Sequence, residues 1–467
     1  RFVRAAAACR KAGKPLILVK TGRTSEGVRA AQSHTASLAG SFEALAAVCR
    51  EHGVVIVEDP VTMVRTADLL VRWPKAEAGG IGVISGSGGG AGLMVDRLSE
   101  AGMPLARLSG DTRSKLGEML LPPQADNPVD LGGRLLPESV EISDKAMSVL
   151  ANDPDVSIVV VYLASMPFFE QRTRLLGQAG MASGKPIVVV GLPGTAADRP
   201  RAALREVTCP YFDSVEDMMA ALRGFFDRRA LAKAIFPTPS RPKSVPAALP
   251  KNANSLAQLA GSYGVPFASE KTCATVEDAV PAARDIGFPV VLKGNVEGIT
   301  HKSDLGLVRT GIHTEKELRQ AWAMIEQAAG AAKFAGCLLQ EQIPPGLELI
   351  CSIRRDPQFG PLVMVGAGGV TVELTRDTAS APAPVSPARA EQLLRSLRLA
   401  PLFDAYRGRD RIDVGAVAKI VSDLSWLAFD LGEQLVDLEI NPLIVGRTGI
   451  KAVDLRGTLH RGTQLLN

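Results

Sequence analysis

The chain predicts an α/β protein in which a parallel, doubly wound part precedes a more antiparallel α+β part. Three observations carry that expectation. Up to about residue 235, short continuous apolar runs such as Ile158–Leu163 and Ile187–Val190 alternate with helical stretches, the pattern of strands buried on both faces. Residues Phe236–Asn252 then carry five prolines, and proline at that density blocks helix and sheet alike and makes a semi-rigid spacer. Beyond it, the strand candidates Cys337–Gln342, Glu348–Arg354, Pro361–Val365 and Val370–Leu374 follow in succession.

In order, Pro15–Lys20 reads as a buried strand, Thr21–Thr35 as a loop, and the Ala-rich stretch after it as a helix to about Glu51. Val54–Glu58 is a second strand and Thr62–Trp73 a helix with apolar spacing. A break at Ala76–Gly80 opens a fresh unit with strands at Ile81–Ser85, Pro104–Arg107, Ser157–Leu163, Pro186–Gly191 and Thr208–Phe212. Its helices are expected near Gly90–Ala101, Asp111–Leu120, Pro137–Ala151, Glu170–Met181 and Ser214–Asp227. After the linker, Pro289–Lys293 is a strand, and Gln434–Glu439 and Lys451–Asp454 are the last two. The expected domains are therefore 1–75, 79–230 and 253–467, with 236–252 as linker.

Composition narrows the function. Hydrophobic residues make up 46% of 467 and charged residues 22%, enough for packed cores and too apolar for long disorder. A formal charge of +4 from 53 basic and 49 acidic side chains predicts no nucleic-acid surface. No apolar run approaches the roughly 20 residues of a membrane span. The six cysteines form no CxxC pair, so neither a disulfide framework nor a thiolate zinc site is expected, and a reducing cytoplasm is the natural setting.

Two turns in the first half could hold anions. Ser33-His34-Thr35 places a histidine before an Ala-rich helix, where unpaired N–H groups and the positive dipole end favour a negative group. Histidine is also a competent nucleophile near pH 7. Ser85–Gly92 is a Gly-rich turn between strand and helix whose amides could cradle a phosphate. It partly imitates a dinucleotide fingerprint, but the next strand lacks the acidic residue that would hold a ribose. Asn127–Gly133 is a further turn.

The second half carries a more specific series. Lys293 ends an apolar strand, where it could meet a nucleotide's phosphates. His301-Lys302-Ser303-Asp304 follows, then Gln340-Glu341-Gln342 at a strand end and Glu348 one strand later. Asn441 and Asp454 place oxygen donors on adjacent strands, the chemistry of a Mg²⁺–phosphate site.

These residues resemble the NDP-forming acyl-CoA synthetases, the superfamily of ADP-forming acetyl-CoA synthetase and succinyl-CoA synthetase. Ser33–Ser41 (SHTASLAGS) is similar to the family's phosphohistidine segment. GGIGVISGSGGGAGLMVD and NPVDLGG resemble its second flavodoxin-like domain. HKSDLGLV, RRDPQFGPLVMVGAGGVTVEL, YRGRDRIDVGA and LEINPLIV resemble its ATP-grasp domain. Their joint order is the specific signal. The resemblance implies flavodoxin-like domains followed by an α+β ATP-grasp domain, with ATP, Mg²⁺, CoA and a carboxylic acid as cofactors and substrates.

By that likeness His34 is the phosphohistidine, and His301 carries phosphate between two active sites. Gly88, Gly89, Gly90 and Ala91 open the helix that helps bind the phosphate. Lys293 and Glu348 are nucleotide-binding positions, Glu341 lies at the hinge beside adenine, and Asn441 and Asp454 are the Mg²⁺ ligands. The implied reaction passes phosphate from ATP to histidine, then to the acid, and CoA attacks the acyl phosphate.

Departures are Ala36 where Gly is usual, Leu307 where a second Gly is common, and Ala381 near a frequent Arg. The family's CoA-binding Rossmann domain, and a strand with a glutamate that orients the phosphohistidine, would precede Arg1. They are expected on a separate chain or in a part absent from this sequence, and an oligomer is expected. The alternatives are a regulatory protein that senses acyl-CoA or nucleotide on the same scaffold, and an ATP-grasp carboxylate ligase of another kind. Intact His34, His301, Asn441 and Asp454 argue against the first, and a phosphohistidine segment against the second.

Overall fold

A computed structural model describes residues 1–35, 41–77, 79–132, 136–163, 170–191, 193–233, 239–250, 255–296, 305–330, 334–369, 375, 377–408, 411–447 and 449–460. Residues 36–40 of the His34 segment, His301 with its neighbours 297–304, and the strand expected over 370–374 lie outside the described residues. The chain divides into two compact units, Arg1–Phe42 with Cys49–Ile235, and Phe236–Asn467 with Glu43–Val48.

The first unit holds two parallel sheets. Strands β1 (Leu16–Val19) and β2 (Val54–Val57) pair in register from Leu16↔Val54 to Val19↔Val57. The second sheet runs β4-β3-β5-β6-β7, with β3 Gly80–Ser85, β4 Val129–Asp130, β5 Val156–Leu163, β6 Ile187–Gly191 and β7 Tyr211–Phe212. Its centre is aliphatic and closed on both faces: Val83, Ile84, Val160, Val188 and Val190 are fully buried. At that degree of burial each Val or Ile contributes roughly 1.5–3 kcal/mol. The helix Pro60–Arg72 shows how local sequence sets a boundary. Asp59 accepts from the Val61 and Thr62 amides at 2.7 and 2.9 Å, and Pro60 stands at the first helical position, where its missing N–H costs nothing.

Two expectations are corrected here. The loop expected over 21–35 is a helix from Ser25 to Thr35, opened by Thr24, whose hydroxyl accepts from the Gly27 amide at 3.1 Å. The segment Pro104–Arg107 makes only a single bridge, Leu105 to Ile81. Asn127 explains why so short a contact suffices. Its Oδ1 accepts from the Val83 amide at 2.8 Å, and its Nδ2 donates to the Ile81 and Ala106 carbonyls, each at 2.9 Å. One side chain thus satisfies three backbone groups where a longer strand would otherwise be needed.

The second unit is built on two sheets. One is four-stranded, β10-β9-β11-β8, with β8 Glu270–Cys273, β9 Val290–Val296, β10 Val308–Ile312 and β11 Phe334–Glu341. The other runs β14-β13-β12-β15-β16, with β17 also on β15. Its strands are β12 Leu347–Asp356, β13 Gly360–Ala367, β14 Thr378–Pro382, β15 Leu435–Gly446, β16 Gly449–Ala452 and β17 Leu455–Leu459. Neighbouring strands in both sheets pair antiparallel. The helix Val414–Leu431 is buried over most of its circumference, including Ser422, Asp423 and Ser425. Polar residues survive there because they are paired: Ser425 Oγ accepts from the Val385 amide at 2.9 Å, Ser422 Oγ donates to the Val385 carbonyl at 2.8 Å, and Asp423 meets Lys419. The Pro-rich linker is tied to this helix at Arg241, which reaches both carboxylate oxygens of Asp430 and stacks on Trp426.

Candidate functional site

At the C-terminal ends of β3, β4 and β5, the Gly-rich turn enters the helix Gly88–Glu100, so Gly88, Gly89, Gly90 and Ala91 form its first turn. Ser87 caps this helix by accepting from the Gly90 amide at 3.2 Å, and Ser85 Oγ accepts from the Ser87 amide at 3.0 Å while donating to the Tyr162 carbonyl at 2.9 Å. The glycine pattern has a steric cause. A Cβ on Gly86 would lie 2.8 Å from Arg172 Nη2, one on Gly88 would lie 2.7 Å from Asp130 Oδ2, and one on Gly90 would overlap the Tyr162 ring. Gly89 and Gly92 meet nothing within 4 Å.

Arg172, Asp130 and Tyr162 thus press the turn from three neighbouring elements, and the sequence reading singled out none of them. Arg172 is 4% exposed. Burial holds its guanidinium below the usual range, with the Asp130 charge opposing that shift. The place of these strands could have signalled the cluster, because ligands of open α/β sheets bind where neighbouring strand connections diverge, here between β3 and β5.

His34 lies in the last turn of the helix Ser25–Thr35 and not ahead of a helix start as expected; its side chain, like all of His301, lies outside the described residues. The run from Ser25 to Thr35 holds a single glycine, Gly27, and Ala30 and Ala31 favour helix continuing to Thr35.

In the second unit the remaining predicted residues converge. Lys293 lies on β9, and its Nζ donates to the Val453 carbonyl at 3.3 Å. Asp454 follows Val453 in the turn between β16 and β17, and its carbonyl accepts from the Asn441 amide at 3.2 Å. Asn441, on β15, accepts through Oδ1 from the Gly369 amide at 2.9 Å. Gly369, at φ +68, lies so close to the Glu348 carboxylate that a Cβ there would overlap it. Glu341 ends β11, where its Oε2 accepts from the Ser269 amide at 3.1 Å and lies 3.5 Å from Lys451 Nζ. Lys293, Glu348, Asn441 and Asp454 are therefore joined by a short chain of contacts across two sheets. Gln340, which the sequence offers only beside Glu341 at the strand end and without a role of its own, is buried on β11.

Among the described residues, no group of three or more His, Cys, Asp and Glu side chains could hold a metal. Asn441 and Asp454 still fit Mg²⁺, which needs only one or two protein oxygens when phosphates complete its octahedron. Three of the cysteines are held as thiols, since burial pushes Cys49 up to about 11 and Cys209 and Cys351 up to about 12. No helix among the described residues is long and apolar enough to cross a membrane.

Comparison with known proteins agrees in order along the chain. Residues 1–70 match the succinyl-CoA ligase like flavodoxin domain and residues 251–459 the ATP-grasp domain. The chain is 30% identical to acetate–CoA ligase [ADP-forming] I of Archaeoglobus fulgidus, over 96% of this chain and 66% of that protein. It is 28% identical to 4-hydroxybutyrate–CoA ligase [ADP-forming] of Nitrosopumilus maritimus, over 94% of this chain and 65% of that one. It is also 35% identical to the acetate–CoA ligase [ADP-forming] I subunit beta of Pyrococcus furiosus, over 42% of this chain and 85% of the subunit. The chain thus spans about two thirds of the length of the first two relatives. With a flavodoxin-like domain ahead of an ATP-grasp domain and these relatives, the chain belongs to the ADP-forming acyl-CoA synthetase family.

Proposed function

We propose that this chain carries the phosphoryl-transfer machinery of an ADP-forming acid–thiol ligase. The observation that supports this most is the convergence of Lys293, Glu348, Asn441 and Asp454 through Val453 and Gly369. Lys293 would meet ATP phosphates as a point charge, Glu348 and Glu341 would hold the nucleoside end, and Asn441 and Asp454 would hold Mg²⁺. That ion supplies neutralisation of charge on the phosphates, which is most of what phosphoryl transfer requires.

The γ-phosphoryl then passes to an imidazole nitrogen of His301 as ADP departs, and from there to an imidazole nitrogen of His34, which frees the His301 ring. The carboxylate oxygen of the acid attacks that phosphorus, freeing the imidazole and forming an acyl phosphate. The thiolate of CoA attacks the acyl carbon, and inorganic phosphate leaves. Backbone amides of Gly88–Ala91 and the positive end of their helix would steady the phosphohistidine. In this proposal 1–75 is the phosphohistidine domain, 79–230 the second flavodoxin-like domain and 253–467 the ATP-grasp domain. CoA is held by a further region or subunit, in an oligomer.

The test is product analysis with ATP, Mg²⁺, CoA and a panel of aliphatic and aryl acids, supplied to the protein together with its CoA-binding region. ADP and phosphate formed in step with acyl-CoA are expected. AMP and pyrophosphate would overturn the proposal.

A further inference from the structure

Gln340 is 1% exposed, and a buried amide is costly unless its hydrogen-bonding groups are used. On β11 the core residues Cys337 and Leu339 alternate with Leu338 and Gln340, which point to the opposite face. Register sets Gln340 opposite Glu270 on β8 and Val291 on β9, while Lys293 lies opposite Leu338. Gln340 and Lys293 therefore emerge on one face of the four-stranded sheet, diagonal to each other.

Both reach the same atom. Gln340 Nε2 donates to the Val453 carbonyl at 2.9 Å, and Lys293 Nζ donates to it at 3.3 Å. The same Nε2 donates to Glu270 Oε2 at 2.7 Å. Two acceptors around one atom require that it be the nitrogen, which fixes the orientation of the amide. Val453 lies in the turn between β16 and β17 of the other sheet: its amide donates to the Pro442 carbonyl at 3.1 Å, beside the Asn441–Asp454 bond at 3.2 Å.

We infer that Gln340 is a positioning residue that sets Lys293 and Asp454 at their working separation by holding the Val453 carbonyl. This rests on the nucleotide-site reading proposed above. Lys293 and Asp454 lie on different sheets, so their spacing depends on what ties the sheets together at that point. When Lys293 turns from Val453 to a phosphate, the carbonyl keeps the shorter of its two bonds, and the turn carrying Asp454 stays in place. Glu270 completes the device by anchoring the amide from the neighbouring strand.

The test measures binding of ADP by calorimetry, with and without Mg²⁺, alongside thermal unfolding. The proteins are the full chain, Gln340→Leu, and the double variant Gln340→Glu/Glu270→Gln. The double variant rebuilds the cross-strand pair with the donor reversed, but leaves Val453 without its amide donor. Gln340→Leu is expected to weaken Mg²⁺–ADP binding about 10- to 100-fold, the usual effect of losing an outer-shell partner, and metal-free ADP binding distinctly less.

The double variant is expected to recover the unfolding midpoint while Mg²⁺–ADP binding stays weak, which holds even if Gln340→Leu fails to fold. Mg²⁺–ADP binding that returns with stability in the double variant would overturn the positioning role, as would equal losses with and without the metal. A wild-type chain that binds no nucleotide would instead overturn the site reading on which this role rests.

Discussion

In the function proposed here the turn Ser85–Ala91 would meet an anion with backbone, whereas the region around Lys293 and Asp454 would do so with side chains. The first needs close approach, and Gly86, Gly88 and Gly90 are bare because Arg172, Asp130 and Tyr162 occupy the space. The second needs charges and oxygen donors held apart on two sheets, so its precision comes from ties such as Gln340–Val453 and Gly369–Asn441. A backbone site fails when something is added to it; a side-chain site fails when something is removed or allowed to drift.

The largest effect expected is at the scaffold of the backbone site. Asn127→Ala leaves the Val83 amide and the Ile81 and Ala106 carbonyls without that partner. The Ile81 carbonyl keeps the Ala106 amide at 3.0 Å, so two groups lose their partner. At about 1–3 kcal/mol for each buried group left unsatisfied, denaturant unfolding should show a loss of about 2 kcal/mol or more. A loss below about 1 kcal/mol would show that the β3 edge does not depend on this side chain.

Next comes a paired test within the turn itself. Gly90→Ala forces a methyl into the Tyr162 ring and should cost about 1–3 kcal/mol, the usual range for overpacking. Gly89→Ala, with open space around it, should be neutral or stabilising by up to about 1 kcal/mol, the helix-propensity gain. Equal midpoints in thermal unfolding would break the steric account of the glycine pattern.

On the side-chain site, Lys293→Met removes a charged donor and keeps the stem. Mg²⁺–ATP binding should weaken about tenfold or more, equivalent to the ~1.5–3 kcal/mol of a hydrogen bond to a charged group, with little change in the unfolding midpoint. Unchanged affinity in a titration would remove Lys293 from the site.

The smallest effect is electrostatic. Burial pushes the Asp153 carboxyl up, but hydrogen bonds from the Thr112 side chain, the Ser109 and Asp155 amides and the Ser109 side chain outweigh it and hold the group below its ordinary 3.8. A depressed carboxylate stabilises the fold above its unfolded value and loses that contribution as pH falls through the folded one. Wild type should therefore lose stability below about pH 4 more steeply than Asp153→Asn, measured by urea unfolding across pH 2–6. Parallel curves would remove Asp153 from the acid response.

How much of this was legible follows the range of the interactions. Strands β2, β3, β5 and β6 declare themselves because burial on both faces demands runs rich in Val and Ile, and β1 is as apolar although half-buried. The helix Ser25–Thr35 was hidden by Gly22, Gly27 and the hydroxyl residues around it, one of which, Thr24, is its cap. Strand β17, with Arg456, Gly457 and Thr458 exposed, has no apolar alternation and exists by pairing with β15.

The candidate oxygen donors of the second unit were singled out by residue type and order. Gln340 was named without a role and Arg172 not at all, because an amide or guanidinium gains its meaning from partners far away in sequence. Gln340 meets Val453 across 113 positions, a distance no local pattern spans.

The central claim is that phosphate passes from ATP to His34, and one measurement reaches it most directly. The protein is incubated with Mg²⁺ and γ-labelled ATP and tested for acid-labile, base-stable phosphate, alongside His34→Ala and His301→Ala. Label on His34 of wild type that is lost in His301→Ala, with any label left in His34→Ala confined to His301, is the predicted result. Label in wild type that maps to neither histidine, or undiminished label on His34 in His301→Ala, would contradict the account.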